Sequence, residues 1–353
     1  MTIDLPPHIA SADLSVQSHL DKTPRVPLEV KGFAEKDSID KARRRSARSP
    51  DGLPGLEDKP PVVSAAAWVA ASSFIKATAA EVMSRIEKRV VAMAQSGKRA
   101  IVIFDLDSTL YNNGPRQVVI FREFAEAYSS HPVFGTQACK LANFRAENMS
   151  FSNDAMARSC GVDTTTETGE ALLEAYVDFW RARFFNNTYV TNDTVYANAV
   201  AQVRRIFDAT DSFPEAQRVH VIYLTGRHKA FTSDDPAQKP YEGGMEGGTR
   251  QAIVRDGLPL NPARVTLMMK DNFSEKDVDF KGRVKAQVNQ LGEVVGAFDN
   301  EPGNVAIFVR DYPLAMHVLV YTIASEKPAQ PCRHVFMFGG GQNELANWPA
   351  VSQ

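Results

Sequence analysis

The chain has 353 residues, enough for a sizeable core and two structural units. Its formal net charge of -2 gives no field that would gather nucleic acid or an anionic membrane. Three cysteines, Cys139, Cys160 and Cys332, have no CxxC spacing and suggest neither a zinc site nor a disulfide framework.

No apolar run is long enough to span a bilayer, and Met1 to Pro7 lacks the basic-then-apolar order of a secretory signal. A cytoplasmic protein is expected. Residues 1–61 are rich in Pro, Ser and charge, too polar to offset chain entropy, and predict a disordered arm. The basic run Arg43-Arg44-Arg45-Ser46-Ala47-Arg48 within it reads as solvated chain. Over 62–97, Trp68, Ile75, Ala79, Val82, Ile86, Val90 and Met93 recur at helical spacing. One helix capped by Ser64, ended by Gly97 and packed on the core is predicted there.

Ile101-Val102-Ile103-Phe104 reads as a strand buried on both faces. Asp105 and Asp107 follow it, at the place where open α/β sheets bind ligands. Paired carboxylates repel, so the pair calls for a proton or a hard cation such as Mg²⁺. Residues 111–217 predict a helical insertion, with helices at Val118–Ser129, Gly169–Arg181 and Asn198–Phe207. Phe179, Trp180, Phe184 and Phe185 within it read as its own core. From Val219 the α/β rhythm returns, with strands at Val219–Leu224, Val265–Met269, Val294–Phe298 and Val318–Ile323. The expected fold is a Rossmann-like, mostly parallel sheet with helices on both faces, 98–110 and 218–326, plus the helical insertion. Residues 327–353, with Gly339-Gly340-Gly341, predict a loosely attached tail; the glycines lack a phosphate-loop pattern.

Asp105-Leu106-Asp107-Ser108-Thr109 resembles the first motif, D-x-D-x-T, of the haloacid dehalogenase superfamily of phosphoryl-transfer enzymes. Three further segments follow in that family's order. They are the strand ending in Thr225-Gly226-Arg227, the basic residue in Phe280-Lys281, and the strand ending in Phe298-Asp299. The resemblance covers about 100–325 and is closest to phosphatase-like members with a helical cap between the first two motifs.

That resemblance implies a Mg²⁺-dependent phosphomonoester hydrolase acting on a small phosphorylated metabolite. Asp105 would be the nucleophile, forming an aspartyl-phosphate, and Asp107 the general acid and base. Asp105, Asp107 (through its carbonyl) and Asp299 would hold the metal. Thr225 and the Gly226 amide would meet the phosphoryl group; Arg227 would either meet substrate phosphate or form a structural ion pair. Lys281 is favoured over Lys285 and Lys270 as the phosphate-stabilising lysine. The fourth motif, Asp299-Asn300-Glu301-Pro302-Gly303-Asn304, lacks the common second Asp, leaving Asn300, Glu301 or Asn304 to serve. A phosphomutase or phosphotransferase, or a non-catalytic phosphate-binding protein, are the competing implications. No nucleic-acid or membrane partner is expected, and the oligomeric state is not legible.

Overall fold

A computed structural model describes residues 60–341 and 345–351. The expected arm and its basic run, up to residue 59, lie outside the described residues.

Ten strands are present among these residues: β1 (Val62–Val63), β2 (Ala100–Phe104), β3 (Tyr111–Asn112), β4 (Thr194–Val195), β5 (His220–His228), β6 (Val265–Lys270), β7 (Glu293–Asp299), β8 (Met316–Val320), β9 (Lys327–Pro328) and β10 (Phe336–Phe338). Six form one sheet of order β10-β8-β7-β2-β5-β6, and every neighbouring pair is parallel. Side chains alternate across β2, so its two faces feed two layers. Val102 and Phe104 join one apolar cluster, Ile101 and Ile103 the other.

The helices follow from that division. On the Phe104 face lie α2 (Ala79–Gln95) and α8 (Ala199–Asp208), through Val82, Ile86, Val203 and Ile206, and α9 (Glu246–Arg255), through Ala252 and Ile253. On the Ile103 face lie α10 (Asp277–Arg283), α11 (Lys285–Leu291) and α12 (Pro302–Asp311), through Phe280, Val288, Ile307 and Phe308. Burying each such Val, Ile or Phe side chain contributes about 1.5–3 kcal/mol.

The single helix expected over 62–97 is two, α1 (Ala65–Ala71) and α2. Ser64 caps the first, as its sequence suggests. The break follows from stronger competing interactions: Phe74 bridges to Val335, and Thr78 with Glu81 forms a capping box that starts α2 afresh.

The helical insertion holds α3 (Gly114–Tyr128), α4 (Gly135–Lys140), α5 (Asn153–Ser159), α6 (Glu167–Phe184) and α7 (Asn187–Val190). It has a separate apolar cluster, with Phe121, Phe124, Leu141, Leu172 and Tyr176 buried in it. Phe179, Trp180 and Phe184 pack against that cluster, while Phe185 joins Val190, Met245 and Met269. Its two ends leave side by side: β3 and β4 pair antiparallel, Tyr111 opposite Val195 and Asn112 opposite Thr194. The helix expected within the insertion at Asn198–Phe207 is α8, which packs on α2 instead, because Ala199, Val203 and Ile206 make it apolar toward the sheet.

Among the described residues the tail is not loose. β9 pairs with β1, and β10 completes the sheet beside β8. Phe336, Phe338 and Trp348 are buried in the main core. Gly339 is needed by close approach: it has φ +133°, and a Cβ there would lie 2.3 Å from the Tyr321 carbonyl. Among the described residues no helix is long and apolar enough to cross a membrane.

His220, at the start of β5, is buried, and its Nε2 lies 2.8 Å from Thr266 Oγ1. Burial pushes its imidazole down to about 4, and Arg99 and Arg264 add to the effect. The unfolded chain therefore takes up this proton first on acidification from the ordinary value near 6.5. Full stability is retained above that pH, and about 2–3 kcal/mol is lost as it falls toward 4. A His220→Gln variant should lose correspondingly less over that window in urea midpoints taken across pH. Parallel curves for the two proteins would refute the assignment.

Candidate active site

Parallel pairing sets the geometry, because it brings all strand carboxyl ends to one edge. Phe104 is opposite Phe298 on β7 and Tyr223 on β5. The next residue on β2's side is Asp105, and on β7 it is Asp299. The Asp105 amide still donates to the Phe298 carbonyl, at 3.0 Å. Two carboxylates from opposite ends of the sequence are thus forced into one buried space.

Lys281 resolves the repulsion. Its ammonium lies 2.7 Å from Asp105 Oδ1 and 2.5 Å from Asp299 Oδ2, with all three side chains almost wholly buried. It sits near the end of α10. Burial would lower the Lys281 ammonium, but the two carboxylates outweigh it and hold the group above its usual value. Burial pushes the Asp105 carboxyl up to about 8; Lys281 opposes this, while Asp299 and Asp107 reinforce it. Of the three lysines weighed, Lys281 is the one placed on Asp105. Lys270 pairs with Asp277 at 3.1 Å, and the more exposed Lys285 with Asp311 at 3.5 Å.

The fourth motif is explained residue by residue. Asp299 Oδ1 accepts from the Glu301 amide at 2.9 Å and from Asn304 Nδ2 at 3.1 Å, at the N-terminus of α12 where the helix dipole favours an anion. Pro302 occupies the first turn of that helix, where its missing N–H costs nothing. Asn300 is committed elsewhere: it donates to the Ile323 carbonyl and accepts from Thr109 Oγ1. Glu301 accepts from the amide and hydroxyl of Ser325 and faces Lys327 at 3.6 Å. Asn304 Oδ1 remains buried without a hydrogen-bond partner.

Thr225 is fully buried at the end of the β5 core run, its hydroxyl accepting from the Arg227 amide at 3.3 Å. Gly226 answers a close approach: a Cβ there would lie 2.6 Å from the Asp277 carboxylate. Asp277 in turn pairs with Lys270 and Lys327.

The Asp107 and Arg227 side chains pair with each other. Arg227 holds Asp107 with two bonds, Nε to Oδ2 at 2.9 Å and Nη2 to Oδ1 at 2.8 Å. It also donates to Asp193 Oδ2 at 2.7 Å and to Thr249 Oγ1 at 3.0 Å. Its side chain is 1% exposed and engaged in an ion pair, one of the two roles its sequence position suggests. Arg116 binds Asp193 and approaches Asp107 Oδ1 at 3.3 Å; Asn113 Nδ2 donates to the same oxygen at 2.7 Å. Burial alone would raise the Asp107 carboxyl, yet Arg227, Arg116 and Asn113 hold it well below the usual carboxylate range. The Asp107 side chain is thus held by arginine and kept anionic, while the expected metal contact is through its backbone carbonyl.

Sequence reasoning missed Arg116 and Asp193. Arg116 carried a signal, since it lies four residues before Ile120 on the apolar stripe of α3 yet is charged. Asp193 carried none, being one polar residue in the run Thr191-Asn192-Asp193-Thr194.

Among the described residues no set of three His, Cys, Asp or Glu side chains is arranged to hold a metal. Asp105 and Asp299 supply two carboxylates, and the unpartnered Asn304 Oδ1 supplies a third oxygen. Such a set fits Mg²⁺, which retains several waters and needs few protein ligands.

Among solved structures, a phosphatase candidate from Clostridium difficile matches with TM-score 0.36 and 10% identity, over 67% of this chain and 94% of that one. A second phosphatase candidate, from Clostridium acetobutylicum, matches with TM-score 0.32 and 13% identity, over 67% and 94%. A haloacid dehalogenase-like family hydrolase from Streptococcus pneumoniae matches with TM-score 0.34 and 9% identity, over 68% and 95%. No protein-family profile and no curated protein matches the chain.

Proposed function

We propose that this protein is a Mg²⁺-dependent phosphomonoester hydrolase acting on a small phosphorylated metabolite through an aspartyl-phosphate. One observation carries the reading: the buried Lys281 ammonium joins Asp105 and Asp299 at the ends of adjacent parallel strands.

A phosphoryl group resists attack because its oxygens repel an anion, so catalysis consists largely of positioning and fixed positive charge. Asp105, held by strand register and aimed out of the sheet edge, is the nucleophile. Lys281 neutralises the attacking carboxylate and the phosphoryl oxygens. Thr225 and the Gly226 amide bind those oxygens at the end of the neighbouring strand. Asp105 and Asp299, with the Asp107 carbonyl and Asn304, would hold Mg²⁺, which when bound neutralises phosphoryl charge. Asp107 serves as acid and base once it exchanges out of the Arg227 pair, since a carboxylate fixed by arginine has no proton to give.

Phosphate release from p-nitrophenyl phosphate and a panel of phosphorylated metabolites tests the reading. Release should require Mg²⁺, vanish on chelation with EDTA and return when the metal is restored. Transfer to an added alcohol with no release to water would favour a phosphotransferase. Phosphate binding with no turnover of any ester would make the protein a non-catalytic binder.

A further inference from the structure

Trp348 lies in the carboxyl-terminal segment, far in sequence from every site residue, yet it is 3% exposed. Its ring contacts Phe104 at 6.2 Å, Phe298 at 5.5 Å and Phe338 at 5.0 Å between centroids. Phe104 and Phe298 stack on each other at 4.8 Å, and each immediately precedes a site carboxylate, Asp105 or Asp299. The indole therefore backs the two strand ends that set the carboxylate spacing.

Its polar end also reaches the site. Nε1–H donates to the Thr109 carbonyl at 3.0 Å, within the loop that follows Asp105. On the adjoining carbonyl, Ser108, Thr322 Oγ1 donates at 2.7 Å. Ser108 has φ +57°, a left-handed conformation unfavourable for a residue with a side chain. Such backbone persists where its surroundings over-determine it, and here two side chains from outside the loop fix successive carbonyls. The segment carrying Trp348 is itself tied to α8: Asn198 Nδ2 donates to the Trp348 carbonyl at 3.1 Å and Gln202 Nε2 to the Pro349 carbonyl at 2.6 Å.

We infer that Trp348 is a positioning residue of the active site, holding the Asp105–Tyr111 loop in its working conformation through the Thr109 carbonyl. It touches no substrate and acts through that loop. The assignment rests on the phosphohydrolase reading, but part of its test does not. Packing alone would be served by any large apolar ring; the N–H directed at a site-loop carbonyl is what sets Trp348 apart.

The comparison that separates the two is Trp348→Phe against Trp68→Phe in the full chain. Trp68 is also buried, and its Nε1 donates to a carbonyl outside the Asp105–Tyr111 loop, Gln330, at 2.7 Å. Hydrogen exchange of the metal-free protein should accelerate about tenfold over 105–111 in Trp348→Phe, the factor expected for one lost buried hydrogen bond, and stay unchanged there in Trp68→Phe. In turnover, Trp348→Phe should lower kcat about tenfold with KM within about twofold, and Trp68→Phe should leave both unchanged below its melting temperature. If both variants merely melt earlier, with loop exchange and kcat as in the wild type, the inference falls. Should Trp348→Phe not fold, Gln202→Met loosens the same anchor, and unaltered exchange over 105–111 in it would overturn the proposal equally. A wild type that hydrolyses no phosphate ester would sink the functional reading, while the exchange experiment would still judge Trp348.

Discussion

Asp105→Asn should abolish turnover, by at least ~10⁴-fold, while leaving a protein that is folded and, at alkaline pH in metal-free buffer, more stable than the wild type. The rate loss follows from removing the attacking oxygen's charge. The stability gain follows from the site's electrostatics. In the folded protein burial pushes this carboxyl up to about 8, against an ordinary value of 3.8. Between those values the folded state holds the proton more tightly than the unfolded chain. Wild-type stability accordingly declines as pH rises through the window, most of the loss being complete above pH 8. Asparagine has no proton to lose, so the variant's denaturation midpoint should lack that decline. Wild-type turnover in the variant would remove Asp105 from the nucleophile's role; identical pH slopes would show that its burial costs nothing.

Lys281→Met should be the most destabilising single change at the site. At alkaline pH, where Asp105 is ionised, it leaves Asp105 and Asp299 facing each other in a buried space with no counter-charge, a situation that typically costs about 3–5 kcal/mol. Turnover should fall ~10³-fold, because the fixed charge opposite the phosphoryl oxygens goes with it. Combining Lys281→Met with Asp105→Asn should recover much of the lost stability and none of the activity. That non-additivity, read from chemical denaturation, is the signature of direct coupling between the pair. Additive effects of the two substitutions would mean that the ion pair does not govern stability.

The core of the fold was legible because it depends on local pattern. Four buried β-branched or aromatic residues before Asp105, and comparable runs before Thr225 and Asp299, place three strand ends with no knowledge of the partner strands. Their convergence then follows from parallel pairing. Lys281 could be favoured over Lys270 and Lys285, but only the turn of α10 toward β2 and β7 separates them. The ion pairs of Arg227 were not legible. Whether that guanidinium meets a substrate or Asp107 depends on Arg116 and Asp193, which come from the far ends of the helical insertion. The tail was misread for a related reason. Phe336, Phe338 and Trp348 are few and interrupted by glycines, so the stretch lacks a helical or strand period. Its burial is decided by the open edge of β8 and the ring surface of Phe298.

The paired strands β3 and β4 put the beginning and end of the helical insertion next to each other, with Asn112 opposite Thr194. Everything between them is one detour from the sheet's connectivity, entering and returning through a single doorway. A short hairpin turn could replace it without rerouting any strand of the six-stranded sheet. The region can therefore be grafted, exchanged or enlarged as a module while the Asp105–Lys281–Asp299 cluster stays intact. What such an exchange would forfeit includes Asn113 and Arg116, which hold Asp107, and Asp193, which holds Arg227, so a transplanted module must replace those partners.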